Sequence, residues 1–556
     1  MIKTKLISSL EKCFVDEPIE KFATLEKASM LKNERFSFQL AYTADADEEL
    51  QLTKFCKIDV EAGALTPYVT LRTVEHVPVT LPIYTPVRDD NYLRTTPGIY
   101  PDVLQPIHYN QCVTVIKDQL RTVWIDVDPQ GAVYADIYPV FITLTKRDGT
   151  KIASLSLELE VIDAKLPEQD LIFTQWFHCD GLAKYYGCEV WSEKHWELIE
   201  SFARVAVRNG INMLLTPVHT PPLDTAVGGE RLTTQLVDVT LENGVYRFGF
   251  DKLDRWIDMC DRIGIKYFEI AHLFTQWGAE HAPKIMATVD GEYKKLFGWE
   301  TDATGEDYAG YLHAFLPAFL AHMKARGDDQ RCFFHISDEP NEAQLEAYCA
   351  AKNVVKDLLK GYVIMDALSN FDFYSKGIVE TPIPSNDHVS PFIEAKVPGL
   401  WTYYCCAQNK DVSNRYISMP LWRTRSIGMQ MYKYDIVGFL HWGYNHYNNA
   451  FSVDSVEPFL ELCGDSWVPA GDTHSVYPAQ NGMAMESMRI VSFHEALQDM
   501  RAMKLAERFY GKDAVVSKIE EIFGEELRFD RCAKNAATMQ GVREAINDMI
   551  RAAVAK

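Results

Sequence analysis

Apolar residues recur along this chain in two rhythms, and the change between them falls near residue 166. Before it, short runs alternate with period two: Phe36-Ser37-Phe38-Gln39-Leu40, the stretch from Leu120 to Val127, and Ser154-Leu155-Ser156-Leu157-Glu158-Leu159-Glu160-Val161. Such alternation marks strands with one buried face and predicts an N-terminal β-sandwich over residues 1–166. The pattern stops at Asp163-Ala164-Lys165-Leu166-Pro167-Glu168, where a proline marks a boundary.

From about residue 170, short apolar strands alternate with amphipathic helices, the pattern of βα units and a parallel sheet. Eight strand candidates follow one another: Leu171–Phe177, Met213–Val218, Tyr267–Leu273, Cys332–Ile336, Val363–Leu368, His388–Phe392, Leu400–Cys405 and Val437–Trp442. Between the first two, Leu198, Ile199, Phe202, Val205 and Ala206 share one helical face that ends at Asn209-Gly210, a left-handed cap signal. Leu253, Trp256, Ile257, Cys260 and Ile263 repeat the pattern before Gly264, and Tyr311, Leu312, Phe315, Leu316, Phe319 and Leu320 form a further stripe. Eight strands over roughly 280 residues predict a (β/α)8, TIM-like barrel across 167–480. The stretch from Ser375 to Asp387 lacks a helical pattern, so the fifth and sixth strands are the weakest members. Residues 481–556 read as a C-terminal helical segment that completes or covers the barrel, and no internal repeat or low-complexity segment interrupts the chain.

Composition narrows the partners more than the fold. The charge of 56 − 78 = −22 argues against nucleic acid, because phosphate backbones are bound through clustered Lys and Arg. Twelve cysteines are scattered without a Cys-x-x-Cys, only Cys405-Cys406 being adjacent, which suits buried free thiols better than a zinc site or disulfide framework. The first twelve residues lack the apolar run of a signal peptide, and no stretch reaches the length of a membrane span. The expectation is a cytoplasmic protein without membrane insertion; oligomeric state leaves no signature.

The sharpest chemical signal is Ser337-Asp338-Glu339-Pro340, reached through Cys332-Phe333-Phe334-His335-Ile336. It puts two adjacent carboxylates on a strand-to-helix loop, where such barrels keep their chemistry. For an isolated Asp-Glu-Pro the commoner explanation is Asp338 capping the next helix, with Glu339 favoured in its first turn. Context favours a site. Residues past the other strands form a consistent pocket inventory: His178 and Asp180, His219, Gln276 and Trp277, Asn370, Tyr403 and Tyr404, Trp442 and Asn445. Aromatic faces with amides and carboxylates suit a neutral polyhydroxylated ligand. No His-x-His, His-Glu-x-x-His, Gly-x-Ser-x-Gly or phosphate-cradling Gly-Lys loop occurs, so neither metal nor cofactor is expected.

A retaining glycosidase of the ordinary kind holds nucleophile and acid about 5 to 5.5 Å apart across the scissile bond, an arrangement that sequence neighbours reach poorly. Substrate assistance fits better: a 2-acetamido oxygen attacks the anomeric carbon, Glu339 protonates the leaving oxygen, and Asp338 binds the acetamido N–H. A catalytically silent carbohydrate-binding protein remains a rival, as does a conventional glycosidase pairing Glu339 with Glu269 or Asp366.

These residues resemble those of glycoside hydrolase family 123, the β-N-acetylgalactosaminidases, and of the broader group sharing their C-terminal domain of unknown function. The likeness spans nearly the whole chain. It includes Glu34-Arg35-Phe36-Ser37-Phe38-Gln39, Ser337-Asp338-Glu339-Pro340, Trp401-Thr402-Tyr403-Tyr404, Arg423 to Gly428 and Gly438 to Asn445. It continues with Gly471-Asp472, Tyr477-Pro478, Ser487-Met488-Arg489, Glu495 and Asp499. The resemblance implies that the family's Asp-Glu pair falls on Asp338 and Glu339, that Asp472 joins the substrate-binding set, and that the substrate carries terminal β-linked N-acetylgalactosamine, notably in glycolipid glycans. The segment from Met488 to Asp499 departs from the more acidic, tyrosine-containing run of many relatives, which bears on helix packing.

Overall fold

The computed structural model describes residues 2–45, 56–84, 87–107 and 111–555. Its first part consists of two five-stranded sheets. One runs in the order Ile2–Ser8, Phe36–Ala44, Arg121–Val127, Val69–Val79, Gly98–Pro106, and the other Lys27–Leu31, Lys151–Ile162, Asp136–Thr145, Cys56–Glu61, Cys112–Val113. The inward positions of the period-two runs, among them Phe38, Leu40, Val123 and Ile125 from one sheet and Leu157 and Leu159 from the other, share a single core.

Eight parallel strands follow: β1 (Ile172–Gln175), β2 (Met213–Thr216), β3 (Tyr267–Ile270), β4 (Cys332–Phe334), β5 (Val363–Ala367), β6 (Thr381–Ile383), β7 (Trp401–Tyr403) and β8 (Gly438–His441). They pair in the order β6-β5-β4-β3-β2-β1-β8-β7. The two end strands meet through a parallel bridge between Ser385 and Tyr403, with Asn386 N donating to Tyr403 O at 2.8 Å, so the barrel is nearly closed. At Gly438 a Cβ would lie 2.1 Å from the Trp401 indole; only glycine lets β7 and β8 approach there.

The stripes read from the sequence lie on helices Glu193–Arg208, Asp251–Ile263 and Glu306–Arg326, and their apolar residues face the core. The second ends at Gly264 with φ 99°, the left-handed cap its sequence announces. The sixth strand differs from expectation. His388–Phe392 does not form it; Ser390–Glu394 is a short helix, and the strand is Thr381–Ile383. Three residues with a central proline carry no period, and this strand is recognised only by its pairing with Met365–Ala367. The loops after β2 and β3 also hold strands of their own, Asp238–Glu242, Val245–Gly249, Ile285–Val289 and Glu292–Phe297, in a separate four-stranded sheet.

The helical end of the chain comprises Met488–Tyr510, Lys512–Phe523 and Ala536–Val554. Phe493 on the first of these stacks on Phe173 of β1 with ring centroids 4.6 Å apart, which lays that helix on the barrel wall. Buried ion pairs stitch the sandwich to this region. Asp102, from a sandwich strand, accepts from Arg489 at 2.9 and 2.8 Å and from Tyr477 at 2.6 Å, with Asp102 and Arg489 wholly buried. Glu486 receives Arg72, Arg35 and Asn209, and its pKa falls despite burial because Arg72, Arg208 and Arg35 surround it. Arg425 clamps Asp499 and Glu495, and Arg489 also donates to Gly471 O and His474 O, tying down the loop after β8.

Candidate active site

One cavity of about 110 Å³ opens at the strand ends. Asp338 and Glu339 line it, together with Trp176, His178, Gln276, Trp277, Tyr403, Cys405, Cys406, Trp442 and, from loops without a sequence signal, Asp224 and Trp467.

The catalytic candidates are held by backbone on one flank and side chains on the other. Trp277 N donates to Asp338 O at 3.1 Å, and Leu273 N and Phe274 N donate to His335 O and Ile336 O at 3.1 Å each, zipping the loop after β3 onto the loop after β4. The Tyr403 hydroxyl donates to Glu339 Oε1. Glu339 has φ 43°, a left-handed conformation costly for a residue with a Cβ, and Asp224 (φ 42°) and Trp277 (φ 57°) on the same cavity share that strain. Non-glycine residues kept in this region at a cavity wall are typical of sites where geometry outweighs local comfort.

Both carboxyls are lifted above the ordinary carboxylate range. For Asp338 burial is the main cause, with Glu339 adding like charge and His335 pulling the other way. For Glu339 burial again leads, opposed by the Tyr403 hydrogen bond and reinforced by Asp472. Glu339 touches solvent through the mouth while protein surrounds its carboxyl, so the pocket dielectric acts on it although the residue is exposed. Burial and like charge thus both favour one proton held within the pair.

His178, on the pocket wall, and His441, behind it, are neutral. His178 accepts from Arg231 Nη2 at Nδ1 (3.1 Å), which leaves Nε2 protonated and facing Trp442 O at 3.0 Å. Burial and the Arg231 charge hold its pKa well down, so His178 offers the cavity a ring face and no free nitrogen. Trp442 donates its indole N–H to Asp472 at 2.8 Å and likewise presents a face. Burial pushes His441, beside Asp472, down to about 3. The Cys405 thiol is raised by its hydrogen bond with Cys406 and then by burial, which keeps it protonated.

Of the residues singled out from sequence, Asp338, Glu339, His178, Gln276, Trp277, Tyr403 and Trp442 meet at this cavity. The others stand off its wall. His219 is buried with Nε2 2.7 Å from His272 O. Asn370 caps the helix Phe371–Ser375, accepting from Asp372 N at 2.9 Å. Tyr404 is packed between Phe439, His441 and Phe493. Asn445 brackets the His178 backbone at 2.8 and 3.1 Å, and Asp472 sits behind Trp442. Glu269 and Asp366 are fully buried inside the barrel, bound to Thr174, Trp176, His335 and Tyr348. Trp467 and Asp224 escape a reading of strand ends because each lies several residues into a long loop; the tilted contact of Trp467 with Trp442 (5.4 Å) places it. Among the described residues no group of three or more His, Cys, Asp or Glu side chains is disposed to hold a metal ion.

The model of the glycoside hydrolase 123 catalytic domain matches residues 176–506. Among solved structures, a family 123 glycoside hydrolase from Clostridium perfringens, described in terms of glycolipid glycan hydrolysis, superposes with a TM-score of 0.75 at 13% identity, covering 100% of both chains. The β-glucuronidase of Parabacteroides merdae reaches a TM-score of only 0.32 at 10% identity, over 90% of this chain and 51% of its own. No curated protein sequence matches.

Proposed function

Because this chain belongs to glycoside hydrolase family 123, we propose that it removes non-reducing terminal β-linked N-acetylgalactosamine from glycans of the glycolipid type, with retention of configuration, by substrate-assisted catalysis on a (β/α)8 scaffold. The observation that carries this reading is the crowding of two neighbouring carboxyls with raised pKa values into one aromatic-walled pocket, while Glu269 and Asp366 are sealed away from it. A nucleophile opposite Glu339 is therefore best supplied by the sugar itself.

In this mechanism the acetamido oxygen attacks C1 as Glu339 hands its proton to the leaving oxygen. Asp338 accepts the acetamido N–H, and that bond favours its ionised form as positive charge grows on the ring being closed. The shared proton then resides on Glu339, where the acid is needed. Glu339, now a carboxylate oriented by Tyr403, takes a proton from the water that opens the oxazoline intermediate. Trp176, Trp277, Trp442 and Trp467 supply faces for the sugar's C–H surface, and a pocket in place of an open cleft suits a terminal unit.

A panel of nitrophenyl β-glycosides with and without the 2-acetamido group tests this. Turnover confined to 2-acetamido sugars, with inhibition by the matching thiazoline, is the expected result. Equal hydrolysis of 2-hydroxy sugars without thiazoline inhibition would overturn it.

A further inference from the structure

The buried cluster of Glu269, His335 and Asp366 takes no part in the mechanism above, yet it touches the site from two sides. Asp366, at the end of β5, accepts through one oxygen, Oδ1, from Ile336 N at 3.0 Å and Ser337 N at 3.2 Å, the two peptide groups that lead into Asp338. Its other oxygen receives the Tyr348 hydroxyl at 2.5 Å. On the opposite side Glu269 accepts the Trp176 indole N–H at 2.7 Å and the Thr174 hydroxyl at 2.5 Å, so it sets the tilt of an aromatic ring that lines the cavity. His335 stands between the two acids, 2.8 Å from Glu269 and 3.5 Å from Asp366, with the His272 ring stacked on it at 4.2 Å.

We propose that Asp366 is a positioning residue for the catalytic pair, acting as a two-pronged acceptor that fixes the Ile336-Ser337 backbone, and that His335 is the fixed countercharge that lets Asp366 and Glu269 occupy one dry site. Resting on the family 123 reading, this extends the machinery to a layer that never meets the substrate. The backbone accounting supports it. The carbonyls of His335, Ile336 and Asp338 and the Ser337 hydroxyl (2.8 Å to Thr275 O) bond to the loop after β3, so the N–H groups of Ile336 and Ser337 tie the same segment to β5 on its other side, upstream of Asp338 and Glu339. A buried carboxylate has few reasons to spend one oxygen on two adjacent amides unless their position matters, and two buried acids need a cation between them. Consistently, His335 is raised to about 9: burial opposes the charge, and the interactions with Asp366 and Glu269 outweigh it.

Asp366→Ala and Asp366→Asn separate this role from any other. Asparagine keeps an Oδ1 acceptor for both amides, loses the charge and puts an NH2 where the second oxygen received the Tyr348 hydroxyl, which can turn to accept from it; alanine loses the acceptor for the amides altogether. Asp366→Ala is expected to lower kcat about 100-fold with KM within about threefold, the loss typical of a misplacement near 1 Å, and Asp366→Asn to recover most of it. Assays use whichever β-glycoside the wild type hydrolyses, so an error in the assigned sugar changes the substrate and leaves this comparison intact. Crystal structures of the two variants give a second readout independent of turnover: Asp338 displaced in the alanine variant, in place in the asparagine variant. An asparagine variant as impaired as the alanine one would overturn the proposal and point to carboxylate chemistry at Asp366. An alanine variant with unmoved Asp338 or undiminished kcat would also overturn it.

Discussion

At the scale of single residues, the site separates two acids that differ by one methylene and by their neighbours. Glu339 takes the Tyr403 hydrogen bond, which pulls its raised pKa back, whereas at Asp338 it is the His335 charge that opposes burial. Glu339→Gln should retain appreciable kcat on glycosides with activated phenolic leaving groups, which need little protonation, and lose about 10²–10⁴-fold on alkyl or sugar leaving groups. Asp338→Asn should be impaired on all of them, and a series of aryl glycosides of graded leaving-group pKa separates the two patterns. Both native carboxyls have folded-state pKa values above those of the unfolded chain, so their contribution to stability is intact below the unfolded pKa and is lost as pH rises through the folded one. Asp338→Asn should accordingly raise Tm at pH 7 and do so by much less near pH 4, as scanning calorimetry at the two pH values would record. The pair itself was legible in sequence because an apolar strand runs straight into it. The roles of His219, Asn370, Tyr404 and Asn445 were not, because a strand end fixes a residue's neighbourhood and leaves its side-chain direction open: Asn370 turned to cap its own helix, and Tyr404 pointed into the core.

At the scale of elements, seven of the eight barrel strands and the helical stripes could be read from period and length. The sixth strand could not, since Thr381-Pro382-Ile383 is defined by its partner and carries no pattern of its own. The hairpins after β2 and β3 were missed for a related reason: Glu292–Phe297 is polar and mostly exposed, and Asp238–Glu242 alternates over only five residues with Val239 alone buried, too short a run to stand out. Where two strands meet with a glycine between them, tolerance should be low. Gly438→Ala would drive a methyl into the Trp401 indole, and a loss of about 1–3 kcal/mol is expected, measurable as a lower urea midpoint with an unchanged slope. The same substitution at Gly98, also in a strand and without a left-handed φ, meets only the Tyr100 ring at 3.9 Å, an ordinary contact, and serves as the control.

At the scale of the whole molecule, the sandwich and the catalytic half are joined by charges that are fully buried and answered. Removing one partner of such a pair is more damaging than the pair is stabilising, because the other charge stays behind in the dry interior. Arg489→Met should therefore cost about 3–5 kcal/mol by stranding Asp102, and the double variant with Asp102→Asn should recover part of that loss, a coupling that a thermodynamic cycle of denaturant midpoints measures. Arg489 also holds the carbonyls of Gly471 and His474, which flank the Asp472 that steadies the Trp442 indole at the pocket wall. A recombination event that exchanged the front module for another would thus do more than change an accessory. It would unmoor a wall of the pocket at Trp442, 340 residues from Asp102 in sequence, and lineages carrying this enzyme are expected to inherit both halves as one indivisible cassette.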